Sequence, residues 1–168
     1  VQRSEARYRQ LTESISDIVW STNSDFRTDY ISPSVKRLLG YSPKFMLSKS
    51  YVESLADQRF VEFLEQIRAE LRDQVHVPER AAALREQGYQ RQITFDGIKA
   101  DGRKCPLEVR ITLMWSAQGR FLGLLGLARD VSEQRRTENR LRMAATVFEN
   151  TTGGIVVTDP AGYIVQVN

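Results

Sequence analysis

Two hydrophobic periods alternate along the chain. Between positions 104 and 115, Leu107, Val109, Ile111 and Leu113 alternate with Glu108, Arg110, Thr112 and Met114. That is the two-residue period of a strand with one buried face. Between 59 and 71 the period lengthens. Phe60, Phe63, Leu64, Ile67 and Leu71 recur at helical spacing, with Arg59, Glu62, Glu65 and Arg68 opposite, which predicts an amphipathic helix. Tyr8, Leu11 and Ile15 repeat that spacing behind Ser4, a candidate N-cap. Strands are expected at 18–22 and 27–31, joined by the turn residues Asn-Ser-Asp.

The stretch "SPSVKRLLGYSPKFM" predicts two short helices. Ser32 is expected to cap the first, with Pro33 at its opening position and Gly40 past its end; Ser42 and Pro43 repeat the device. Pro78 opens either a further short helix through Leu84 or an insertion loop. Two strands then flank "ADGRK", and "SAQGR" turns the chain into a last strand at 121–128. A polar helix follows from 133, with Asp130, Val131 and Ser132 between. Segregated strands and helices give an α+β class, an antiparallel sheet covered by helices on one face.

An internal repeat adds to this. "YRQLTESISDIVWSTNSDFRTDYIS" (8–32) and "MAATVFENTTGGIVVTDPAGYIVQVN" (143–168) share a helix end, a polar joint, an apolar strand, a turn and a second strand. The alignment sets Ile18 with Ile155, Trp20 with Val157, Phe26 with Tyr163 and, after one extra residue, Ser32 with Asn168. The second copy resembles the opening of a PAS domain, and the first resembles the start of a whole one. "LLGYSP", "ADGRKCPLEVRI" and "GLARDVSEQRR" match, in order, that family's first short helix, its hairpin into the penultimate strand, and its final strand with exit motif.

The resemblance implies an N-terminal helix at 1–16, a PAS domain at 17–132 with a five-stranded antiparallel sheet, a connecting helix at 133–148 and the start of a second PAS domain at 149–168. It further implies a sensory module, not itself an enzyme, that pairs as a homodimer. Such a module passes a change to an output domain in the same chain: a histidine kinase, a diguanylate cyclase or a cyclic-di-GMP phosphodiesterase. A ligand-free dimerisation scaffold is the alternative reading.

Composition narrows the chemistry. With 168 residues, 41% hydrophobic and 27% charged, the chain can bury a real core. No apolar run reaches membrane-spanning length, and the polar, basic opening is not a signal peptide. The expected setting is cytoplasmic, with membrane attachment of the parent protein left open. The chain opens on Val1 and stops within an apolar stretch, so it reads as a piece of a longer protein. A net charge of +3, from 24 basic and 21 acidic residues, is too balanced to suggest nucleic-acid binding. One cysteine and one histidine leave no disulfide framework and no multi-residue metal site. P-loop, dinucleotide and nucleophile-elbow motifs are absent.

Candidate residues fall into three groups. By the resemblance, Asp130, Val131 and Ser132 form the triad that links sheet to outgoing helix, and Asp130 with Glu133 also has capping-box spacing. Candidate pocket residues are Ile18, Trp20, Tyr30, Leu38, Tyr41, Phe45, Phe63, Ile67, Phe95, Val109, Ile111, Leu124 and Ala128, most of which any core would also use. Trp20 stands out because an indole N–H in a pocket needs a partner. Tyr8, Leu11 and Ile15, with Leu141, Ala144, Ala145 and Phe148, form helix seams suited to a dimer. The dimer reading adds Phe121, Leu125 and Leu127 as an apolar outer face of the last strand. The flavin-binding PAS group has a reactive cysteine on its helical side and amides on its last three strands. Here Cys105 opens a strand, and the matching positions are Gly97, Leu107 and Ala128, without a side-chain donor or acceptor. The expectation is therefore no cofactor or an unknown one. Haem on His76, the sole histidine, and FAD held in another way are the minor alternatives, beside an unidentified small ligand.

Overall fold

The computed structural model describes residues 16–48, 57–150, 153–154 and 156–167. It divides the chain into two units, Val1–Val131 and Ser132–Asn168. The expected helix carrying Tyr8, Leu11 and Ile15 lies outside the described residues.

In the first unit, β1 (Ile18–Thr22) and β2 (Thr28–Ile31) form a hairpin. Helices α1 (Ser34–Leu39), α2 (Pro43–Met46), α3 (Gln58–Leu71) and α4 (Pro78–Gln87) follow, then β3 (Gln90–Ile98), β4 (Lys104–Trp115) and β5 (Phe121–Asp130). The strands form one antiparallel sheet in the order β2-β1-β5-β4-β3, so the last strand inserts beside the first. The α+β expectation holds. Register places Ile18, Ala128, Val109 and Ile93 in one row across four strands. Because side chains alternate along each strand, this row and its neighbours form the inner face. Val35 and Leu39 of α1, Ile67 and Leu71 of α3, and Leu84 of α4 pack with it into one core.

Several local expectations shift. Ser32 does not cap α1. The helix opens at Ser34, with Pro33 in the cap position and no side-chain cap bond. Ser32 and Ser34 are fully buried and run a polar chain. The Val19 N–H donates to Ser32 Oγ at 2.9 Å, and Ser34 Oγ donates to the Asp17 carbonyl at 2.8 Å. The contact between the two hydroxyls therefore has Ser32 as donor, since each hydroxyl has one proton. Both buried hydroxyls are thus satisfied, which is the condition for burying them without penalty. Ser42 does cap α2, accepting from the Phe45 N–H at 3.2 Å.

The segment after Pro78 is the helix rather than the loop, because Ala81 and Leu84 bury one of its faces. Strand β5 runs to Asp130, since Arg129 and Asp130 still pair with Glu108 and Leu107. Phe121 is not on an outer face: it is buried between Phe26, at 5.5 Å, and Trp115, at 5.6 Å.

In the second unit, α5 (Ser132–Asn150) has no buried residue, and β6 (Val156–Thr158) pairs with β7 (Ile164–Val167). This hairpin repeats β1–β2 residue for residue. Trp20 faces Ile31 as Val156 faces Val167, and the register slips after Ser21 as it does after Val157. Asn23 Oδ1 accepts from the N–H groups of Asp25 and Arg27, as Asp159 Oδ1 does from Ala161 and Tyr163. The repeat is thus one residue out of step with the expected alignment: Trp20 corresponds to Val156 and Phe26 to Gly162, with no extra residue. A run of similar apolar residues lets a sequence alignment slide; hydrogen bonds do not. Phe26 has φ 61° where the second copy has Gly162 at φ 89°. The first copy holds a bulky residue in a left-handed conformation that disfavours it, with its ring packed on Phe121.

Ser34→Ala should leave the Ser32 hydroxyl and the Asp17 carbonyl without their partners. The expected loss is about 1–3 kcal/mol, read as a lower urea midpoint with unchanged slope.

Candidate functional site

Under the helices, the inner face of the sheet leaves a cavity of about 100 Å³. The sheet lines it with Ile18 and Trp20 of β1, Thr28 and Ile31 of β2, Phe95 of β3, Leu107 and Val109 of β4 and Ala128 of β5. Leu39, Met46, Phe60 and Leu64 close it from α1, α2 and α3. Phe60 stacks on Phe95 with centroids 4.6 Å apart and stands at 87° to Trp20. Trp20 lies over Gly126, its pairing partner in β5. A Cβ at Gly126 would collide with Cε2, Cζ2 and Nε1 of the indole. Only glycine admits that ring, and the ring forms part of the cavity wall.

Of the candidate pocket residues, Ile18, Trp20, Phe95, Val109 and Ala128 line the cavity. The others do not. Tyr30 is exposed, on a strand whose buried residue is Ile31. Tyr41 and Phe45 stack on each other at 5.2 Å, and Phe45 is exposed. Ile67, Ile111 and Leu124 are core, with Leu38 and Phe63 half-buried against it. The helix stripe at 60–71 contains both kinds of residue, and its period alone cannot separate the side that meets the cavity, Phe60 and Leu64, from the side that fills the core. Leu107 was reachable, being one strand repeat before Val109 on the same face.

His76 is exposed in the turn between α3 and α4 and lines no part of the cavity. Ordinary ligand pockets measure roughly 300–1,000 Å³, so this one is small. Cys105 is buried opposite Gly97. Among the described residues no three His, Cys, Asp or Glu side chains group to hold a metal.

At the outgoing end, Asp130 is still a strand residue. Val131 is buried, donates its N–H to the Pro106 carbonyl at 3.0 Å, and is the only residue between β5 and α5. Asp130 pairs with Leu107 across the sheet, so strand pairing reaches further than the apolar run suggests. Arg129 grips Asp17 through two nitrogens at 2.9 and 3.0 Å. That ties β5 to the residue just before β1.

A second polar group joins α3 to β3. Glu70 accepts from the Tyr89 hydroxyl at 3.2 Å and from Arg91 at 2.7 Å, and the Arg91 guanidinium lies over the Tyr89 ring. Burial, then the Glu70 charge, pushes the Tyr89 phenol up to about 12.

A family model described as PAS domain matches residues 16–133. The chain belongs to the PAS family. PAS domains of known structure share the fold. One from Colwellia psychrerythraea aligns at 16% identity with a TM-score of 0.51, covering 77% of this chain and 98% of its own. The PAS domain of an HTR-like protein from Haloarcula marismortui aligns at 18% identity and TM-score 0.52, with 77% and 99% covered. A sensory box histidine kinase/response regulator from Burkholderia thailandensis aligns at 18% identity and TM-score 0.50, with 86% and 99% covered. No curated protein matches the chain. In this PAS domain the cavity occupies the space between the inner face of the sheet and α1–α3.

Two outcomes follow. Gly126→Ala should displace the Trp20 ring and destabilise the domain by about 1–3 kcal/mol, with a changed tryptophan emission maximum in a Trp115→Phe background. Raising pH should selectively weaken the fold. Tyr89 keeps its proton longer when folded, so stability is level below the unfolded value near 10 and falls as pH rises towards about 12. Tyr89→Phe should remove that decline, and the difference absorbance of the two proteins should show one phenol ionising near 12.

Proposed function

We propose that residues 17–132 sense a small ligand in the cavity and pass the change through β5 into α5. The observation that carries this reading is the double role of β5. Ala128 is part of the cavity wall, Gly126 lies under Trp20, and the same strand continues to Asp130 with only Val131 before the helix. Asp130, Val131 and Ser132 are then the residues through which strand displacement reaches the helix. The pure scaffold reading has no comparable use for a lined cavity on the outgoing strand.

The hairpin β6–β7 supports a second PAS domain beginning after α5, since its register slip and turn hydrogen bonds repeat those of β1–β2. The output of the parent protein is proposed to be a histidine kinase or a cyclic-di-GMP enzyme. The Burkholderia neighbour's description as a histidine kinase/response regulator supports the first. A bacterial, cytoplasmic setting fits such a module; among the described residues no helix is long and apolar enough to cross a membrane. We also propose a homodimer. Leu125 on β5 and Leu141 on α5 are exposed, and Leu141, Ala145 and Phe148 recur along α5 at the spacing of a seam.

Leu64→Phe, which fills the cavity from α3, is the test of transmission. Amide exchange across residues 133–142 should change in that variant while 107–113 stay protected. Adding Asp130→Ala should abolish the difference. Identical exchange in α5 with the cavity filled and empty would leave the domain a scaffold. For the dimer, light scattering should give twice the chain mass, reduced to one by Leu141→Glu.

A further inference from the structure

We propose that the cavity takes a neutral, single-ring aromatic molecule, an inference that rests on the ligand-sensing reading above and narrows it. Size sets the first limit. A closed apolar space of about 150 Å³ lined by Leu, Ile and Phe binds benzene. The present cavity is about 100 Å³ and not fully enclosed, so one ring fits with an edge or small substituent towards the opening. A fused multi-ring system does not.

Wall chemistry sets the class. None of the twelve lining residues is charged, so a carboxylate or ammonium would be stripped of water with nothing to replace it. The aromatic part of the wall is more selective. Phe60 and Phe95 lie 17° from parallel, and Trp20 stands at 87° to Phe60, so the wall offers ring planes at right angles to one another. A guest ring can meet such walls edge to face, and a saturated ring of equal size has no quadrupole with which to do so. Met46 adds a thioether to the lining, a further favourable neighbour for a ring. Among the described lining side chains, Trp20 brings the one N–H and Thr28 the one hydroxyl, enough to serve one acceptor substituent.

The test uses the whole chain with three probes of nearly equal size: toluene, methylcyclohexane and benzylammonium. Amide and methyl NMR shifts at Ala128, Val109 and Phe95 report occupancy. Toluene should saturate those shifts and bind about ten-fold tighter than methylcyclohexane, with benzylammonium weaker still. Leu64→Phe should lose toluene binding. Leu64→Ala should retain it, which separates a filled cavity from a damaged fold. Methylcyclohexane binding as tightly as toluene would overturn the aromatic assignment, and preference for benzylammonium would overturn neutrality. Failure of all three probes against a folded protein would also overturn it. The exchange response of α5 to Leu64→Phe needs no probe, so the sensing reading stands or falls separately.

Discussion

The contact between the Trp20 indole and the bare Cα of Gly126 is the constraint on which the rest of the first unit depends. A tryptophan at the centre of a sheet needs somewhere to put its ring, and here the neighbouring strand supplies the space by having no side chain. Lying over β5 in this way, the ring keeps β1 and β5 in register and presents an edge for Phe60 of α3 to pack against. Phe60 in turn stacks on Phe95 of the far strand. The cavity is what remains when three aromatic rings are fixed by each other rather than by close packing with every neighbour. Protein interiors ordinarily leave little such space.

The sheet is held at its other margin by polar groups. Ser32 and Ser34 lie where an all-apolar core would be simpler, yet every proton in their chain has an acceptor. The chain fixes the start of β1 against the start of α1, and Asp17 continues it to Arg129 on β5. The start of β1 and the end of β5, which lie side by side, are thereby fastened by geometry that only one register satisfies.

Much of this could be read from the sequence. The alternation at 107–113 and the helical stripe at 60–71 are strong because each places several residues on one face, and the resemblance to the PAS family rested on motifs in their proper order. What could not be read depended on distant partners. Ser32 looked like a cap because Ser-Pro before an apolar run is cap chemistry, but its partner is Val19, across the hairpin. Strand β5 looked shorter because Arg129 and Asp130 are charged, while their pairing is made by backbone groups that composition does not report. Gly126 carried no signal: a glycine in an apolar strand can mark a bend, a bulge or a missing side chain, and only the position of Trp20 decides between them.

The single-residue joint at Val131 has a consequence for chain length. A helix advances about 100° per residue, so one residue inserted within the first turn of α5 swings every later side chain by that angle relative to those before it. Leu141, Ala145 and Phe148 would then face another way although none of them had been altered. An ordinary loop absorbs an added residue by bulging, whereas a strand that becomes a helix across one buried valine has nowhere to put it. Under the proposed transmission through α5, the spacing from Val131 to Leu141 is therefore as specified as a core position, even though the side chains from Glu133 to Arg140 are exposed. On that proposal, helical phase, rather than residue identity, is what the stretch has to preserve.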